Sequence, residues 1–159
     1  MDGQPQPAFS TRRMRAADVD AVARIEQASY EFPWQAHLFD DCLRARYRCF
    51  VAVDSADRVR GYALLSVVLD EAHVLNLCVA PAWRRRGIAR LLLDCMLAEA
   101  RAAQARNMLL EVRPSNRGAR KLYAAYGFTR IGMRPRYYPA ANGREDAHLL
   151  SRRVAAARP

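Results

Sequence analysis

The chain has 159 residues, 52% of them hydrophobic, with a formal net charge of +10 and a sequence pI of about 10.2. That length suits one domain around one core, and no run nears the roughly 20 apolar residues of a membrane span. The Met1–Thr11 stretch is polar, lacks the apolar core of a secretory leader, and reads as a loose tail before a single domain over residues 12–154, with 155–159 as a second tail. Cys42, Cys49, Cys78 and Cys95 show no C-x-x-C spacing and sit in apolar patterns, so reduced, buried thiols in a cytoplasmic protein are expected. Lys121 is the sole lysine, so the basic charge is almost all arginine. It fits a GC-rich genome, or an acidic partner such as cofactor phosphates, nucleic acid or a ribosome-bound target. Charge alone does not choose among these.

In chain order, Phe9–Met14 reads as a short edge strand. Asp18 is an N-cap for a helix with Val19, Val22, Ala23, Ile25 and Ala28 on its apolar face. Glu31-Phe32-Pro33-Trp34 interrupts it, and Pro33 opens a second helix carrying Leu38, Phe39, Cys42 and Leu43. Strands follow at Arg48–Val53, Val59–Leu69 and His73–Val79. A basic turn leads into a helix from Gly87 or Ile88 to about Ala105, with Ile88, Leu91, Leu92, Cys95 and Met96 on one face. Then come a strand at Met108–Val112, a helix capped by Ser115 or Asn116 and stopped by Gly127, and two strands, Phe128–Met133 and Ala147–Val154. The Arg134–Asp146 stretch between the last two reads as a loop, and Arg152–Pro159 as a solvated tail. This order predicts an α/β chain: one mixed, mostly antiparallel sheet with helices on both faces.

The turn Arg84-Arg85-Arg86-Gly87-Ile88-Ala89-Arg90 joins a strand to a helix. The first N–H groups of a helix lack intrahelical partners and the helix dipole adds positive potential. Gly87 admits a close backbone approach, so the turn is a pyrophosphate cradle or, more plainly, a solvated basic helix start. It lacks the Gly-Lys-Ser/Thr of a Walker loop and the three glycines of a dinucleotide fingerprint. Glu111, ending an apolar strand, is either a surface residue or a general base; an α-amino group of pKa about 7.7–8.0 needs only a mild one. Tyr123 is either a core ring or a phenol able to protonate a departing thiolate. His37, His73 and His148 have no metal-ligand spacing, so no metal is expected. Ser115 and Ser151 have no paired His, which argues against a triad hydrolase.

Val79-Ala80-Pro81-Ala82-Trp83 followed by Arg-x-x-Gly-x-Ala resembles the acyl-CoA motif of the GNAT family of N-acetyltransferases, with Ala89 where glycine is common. Leu110-Glu111-Val112-Arg113-x-Ser115-Asn116, Leu122-Tyr123-x-x-Tyr126-Gly127-Phe128, Phe32-Pro33-Trp34 and Tyr137-Tyr138-Pro139 with Asn142-Gly143-Arg144-Glu145-Asp146-Ala147 resemble its bacterial ribosomal-protein-alanine branch. The resemblance covers residues 12–154. It implies the GNAT fold, acetyl-CoA as co-substrate, and an N-terminal alanine of a small-subunit ribosomal protein as acceptor. Transfer would be direct, in a ternary complex. Apart from the resemblance, a cytoplasmic monomer contacting neither membrane nor nucleic acid is expected. The resemblance further implies Glu111 as proton acceptor and Tyr123 as proton donor. Leu77, Cys78 and Val79 would pair with the pantetheine arm. Arg85, Arg86, Gly87, Ile88, Ala89 and Arg90 would hold the pyrophosphate, with Asn116 and Tyr123 also on the cofactor. Phe32, Pro33, Trp34, Tyr137 and Tyr138 would face the peptide. Cys78 as a covalent nucleophile has little support, having no His or Lys near it in sequence. The alternatives are a family member acting on another N-terminus, an internal lysine or a small amine, and a basic RNA- or ribosome-binding module.

Overall fold

A computed structural model describes residues 7–155. Seven strands run β1 (Phe9–Arg13), β2 (Arg48–Asp54), β3 (Val59–Val68), β4 (Glu71–Val79), β5 (Asn107–Val112), β6 (Thr129–Ala140) and β7 (Gly143–Arg153). Four α-helices are interleaved: α1 (Val19–Ser29), α2 (Ala36–Arg44), α3 (Ile88–Ala102) and α4 (Arg117–Ala125). The strands form one mixed sheet in the order β1-β2-β3-β4-β5-β7-β6. β4 and β5 are parallel because α3 carries the chain back between them. β1–β2, β5–β7 and β6–β7 are antiparallel. The element order and the mixed sheet are as the sequence predicts. Among the described residues no helix is long and apolar enough to cross a membrane.

The chain divides into two compact units, the first running to Leu64 and adding Asn76–Cys95, the second taking Leu65–Leu75 and the chain from Met96. In the first, Val22, Phe39, Val51, Tyr62, Leu64, Ile88, Leu92 and Leu93 are fully buried. Gly61 makes the seat for α3: a Cβ there would lie 3.0 Å from the Cys78 carbonyl and 3.2 Å from Ile88 and Leu92. In the second unit, Ala72, Met96, Met108, Leu110 and Ala147 close the core, and Tyr123 meets Phe128 edge-on at 5.6 Å.

Several local expectations are corrected. Asp18 is the N-cap residue of α1 as expected but makes no side-chain cap bond; its carboxylate takes the Arg15 N–H (2.8 Å) and the Arg12 guanidinium (2.7 and 2.9 Å), closing the turn before the helix. Ala28 and Leu38 are exposed, and α2 begins at Ala36 behind Gln35, because Trp34 rather than Pro33 anchors the turn. On α3 the buried stripe is Ile88, Leu92, Leu93, Met96, Leu97 and Ala100, with Leu91 and Cys95 at its margin. The expected Arg134–Asp146 loop is instead a hairpin: β6 and β7 pair out to Ala140 and Gly143, with register shifts at Arg130/Gly132 and Arg134/Tyr138. Pro135 and Pro139 are tolerated because β6 is an edge strand interrupted by bulges. Arg152 and Arg153 belong to β7, not to a tail, and β1 takes in Phe9–Thr11 from the expected N-terminal one. The remaining tail expectations, at residues 1–6 and 156–159, lie outside the described residues.

Candidate functional site

In the first unit, β4 ends at Val79 and a 3-10 turn, Pro81–Trp83, that the sequence reading did not foresee leads to the basic turn. Arg85 (φ 63°) and Gly87 (φ 81°) both take the left-handed conformation. The Leu91 N–H donates to the Gly87 carbonyl at 3.1 Å, so the amides between them open α3 without intrahelical partners. A Cβ on Gly87 would meet nothing within 4 Å, so the backbone there is bare to an approaching ligand. Arg84 Nε donates to the Val79 carbonyl at 3.2 Å. Trp83 lies under two guanidinium groups, Arg60 at 4.0 Å and Arg86 at 4.6 Å, which hold their charge beside the turn. Arg90 is exposed and Ala89 half-buried, whereas the Ile88 side chain is in the core and offers a ligand its backbone alone. These residues fit a polyphosphate. Upstream on β4, Leu77 is half-buried and Cys78 and Val79 are buried.

The same unit holds a buried carboxylate that sequence reasoning missed. Glu26, 2% exposed, accepts the Tyr62 hydroxyl and Asn76 Nδ2 (3.1 Å) on Oε2, and the Trp34 N–H (3.2 Å) on Oε1. The Phe32-Pro33-Trp34 turn is therefore pinned from beneath, with Phe32 exposed. Tyr62 is pushed far above the usual phenol value, first by burial and then by Cys78 and Glu26. A signal existed: Glu26 follows Val22 by four and Ala23 by three, on the core stripe of α1.

In the second unit, paired residues of the parallel ladder run from Glu71↔Asn107 to Val74↔Leu110, and Glu111 comes just after. Its side chain is 7% exposed. Oε2 lies 2.6 Å from His73 Nε2, and Oε1 accepts Arg134 Nε at 3.0 Å. Burial pushes this carboxyl up, but the hydrogen bond and charge of His73, with Arg134, outweigh it and hold it below its ordinary value. Tyr138 is pushed above the usual phenol range by burial first, then by the charges of Glu111 and Tyr137, with Arg113 opposing and Tyr123 adding. Glu111, Tyr123, Tyr137 and Tyr138, scattered in sequence, thus come together. Tyr137 and Tyr138 meet edge-on at 4.8 Å, and Arg113 lies 4.4 Å over Tyr138 while donating to the Pro139 carbonyl at 2.8 Å. Ser115 Oγ donates to Glu145 at 2.7 Å, tying the hairpin to the turn before α4. Asn116 rather than Ser115 caps α4, its Oδ1 accepting the Ala119 N–H at 3.2 Å. His73 and Arg134 were not foreseen: neither carries a motif, and the pairing of β4 with β5 and the β6 hairpin bring them to Glu111. An ionised carboxylate can accept a proton, and a neutral phenol can donate one.

The family model described as "Acetyltransferase (GNAT) family" matches residues 19–128. The [ribosomal protein bS18]-alanine N-acetyltransferase of Salmonella typhimurium is 36% identical over 138 residues, 87% of this chain and 93% of that relative. Its Escherichia coli namesake is 35% identical over the same shares. Among solved structures, the ribosomal-protein-S18-alanine N-acetyltransferase from Escherichia coli superposes with a TM-score of 0.86 at 33% identity, over 94% of this chain and 96% of that one. Ard1 from Thermoplasma volcanium gives 0.85 at 28% identity, over 94% and 99%.

Proposed function

The chain belongs to the GNAT family of acetyltransferases, and on that premise we propose that it is an acetyl-CoA-dependent N-α-acetyltransferase for the N-terminal alanine of a small-subunit ribosomal protein. The observation that carries the reading is the Glu111 carboxylate, its side chain 7% exposed, held on one oxygen by His73 and on the other by Arg134 of the β6 hairpin that carries Tyr137 and Tyr138. The likeness to relatives named for bS18 alanine supports the choice of acceptor.

Acetyl-CoA, when bound, supplies the thioester carbonyl that the amine attacks. The α3 N-terminus and the Arg85–Arg90 turn hold its pyrophosphate, with the amides after Gly87 as donors. The Leu77–Val79 backbone serves the pantetheine arm, and Asn116 borders the cofactor. Glu111 takes the proton of the ammonium, and the Tyr123 hydroxyl gives one to the departing thiolate, so no covalent enzyme species is needed. Phe32-Pro33-Trp34 in the first unit and Tyr137-Tyr138 in the second are each assigned to the peptide by the family resemblance. The enzyme works as a cytoplasmic monomer, without metal, membrane or nucleic acid.

Mass spectrometry after incubation with acetyl-CoA tests this, using peptides beginning Ala-Arg, Ser or Met and one with a blocked N-terminus and an internal lysine. The Ala-first peptide is acetylated fastest, on its α-amine. Preferred labelling of the internal lysine would overturn the assignment.

A further inference from the structure

We propose that His73 is a positioning residue that holds the Glu111 carboxylate and, through its own protonation, sets how strongly that carboxylate accepts the proton of the substrate amine. The inference rests on the reading of Glu111 as proton acceptor.

The sheet register places the pair. His73 lies opposite Leu109, and Leu109 and Glu111 are two residues apart, so both side chains stand on one face of the parallel pair. His73 Nε2 and Glu111 Oε2 lie 2.6 Å apart, within hydrogen-bond distance, and since an ionised carboxylate only accepts, the ring nitrogen is the donor. With Arg134 on Oε1, both oxygens are fixed and the side chain has one orientation. The groups facing Glu111 are His73 from β4 and Arg134 and Tyr138 from β6, while Leu149 on β7 stands opposite with no charge. On the face His73 shares along β4, Glu71 is two residues away and exposed.

His73 Nε2–H can donate to Glu111 whether the ring is neutral or cationic. What changes is the second nitrogen. Imidazole is the side chain that ordinarily changes charge between roughly pH 5 and 8. When Nδ1 takes a proton from solvent, a positive charge appears beside Glu111 and joins that of Arg134, and the carboxylate becomes a weaker base. When Nδ1 is bare, Arg134 is the one full positive charge directly on the carboxylate. In the transfer step an ammonium N–H bond breaks and an O–H bond forms on Glu111, whose proton then leaves to solvent. The His73 side chain is 30% exposed, enough to exchange protons with water.

The test is kcat at saturating acetyl-CoA and Ala-first peptide, from about pH 6 to pH 8.5, for wild type, His73→Gln, His73→Ala and Glu111→Gln, with melting temperatures for each. The glutamine amide can still donate to Oε2 but cannot ionise. The ionisation of the amine is common to all proteins and cancels in their ratio. The expected result is a ratio of wild type to H73Q that rises roughly threefold or more with pH over this range. H73A, lacking the donor, is slower than H73Q throughout. A ratio constant with pH, in folded protein, with E111Q slow, overturns the role of His73 and leaves Glu111 as the base. An E111Q rate equal to wild type at pH 7 overturns the reading of Glu111 itself. If H73Q does not fold, the same ratio for H73A decides by its slope with pH.

Discussion

Glu26 Oε1 accepts the backbone N–H of Trp34 at 3.2 Å, eight residues on, so a carboxylate in the core of α1 fixes the turn to which the peptide-facing role is given. Its other oxygen takes Tyr62 and Asn76. Glu26→Ala leaves three donors without their acceptor: the buried Tyr62 hydroxyl, whose loss costs about 1–3 kcal/mol, and the part-buried Asn76 amide and Trp34 N–H, which cost less. The expected outcome is a lower melting temperature and a raised KM for peptide, with KM for acetyl-CoA little moved. Tyr62→Phe, which removes one donor and keeps the ring against Phe39 (5.5 Å), moves both far less. Thermal melts and steady-state kinetics on the same preparations check this.

Gly87→Val keeps the fold and loses the co-substrate. No protein atom lies where its Cβ would go, so nothing inside the fold is displaced. A β-branched residue at φ 81° is strained, however, and its side chain stands where the phosphates approach. Calorimetry is expected to show Kd for acetyl-CoA raised about tenfold or more, equivalent to roughly 1.4 kcal/mol. Equal dissociation constants would remove the basic turn from binding.

Tyr123→Phe separates chemistry from packing. Its ring is buried and edge-on to Phe128, and phenylalanine keeps that contact. Loss of the proton donor is expected to lower kcat on the order of a hundredfold, with KM for acetyl-CoA nearly constant. A normal kcat with a lowered melting temperature would make the residue structural.

Asp18 gives a pH signature of stability. The Arg12 hydrogen bond, against burial and with the Arg15 N–H, holds its carboxyl below the ordinary value of 3.8. A depressed folded value means that the ionised group favours the native state. That contribution is fully present above about pH 3.8, the unfolded value, and is lost as pH falls through the lower folded one. Asp18→Asn is therefore expected to cost about 1–2 kcal/mol at pH 7, since Arg12 is part-exposed and the pair is screened. Denaturant melts at pH 7 and below pH 4 check the sign: the gap between wild type and mutant shrinks in acid.

Sequence alone determined the element order, the basic strand-to-helix turn, a cap at Ser115 or Asn116 and the Gly127 stop, and Glu111 and Tyr123 as paired candidates. Each is written locally, in periodicity, in turn chemistry or in a motif a few residues long. It did not determine the partners that tune those groups. Glu26 lies on an apolar stripe and reads as a polar exception until Tyr62, Asn76 and Trp34 close around it. His73 reads as one of three scattered histidines, and the parallel register that sets it beside Glu111 joins residues 38 apart in sequence. The Tyr137-Tyr138 stretch, with two prolines, reads as a loop, because pairing with β7 rather than propensity extends it. A hydrogen-bonded partner across a sheet is chosen by strand register, a property of two segments at once, and tertiary structure alone decides it.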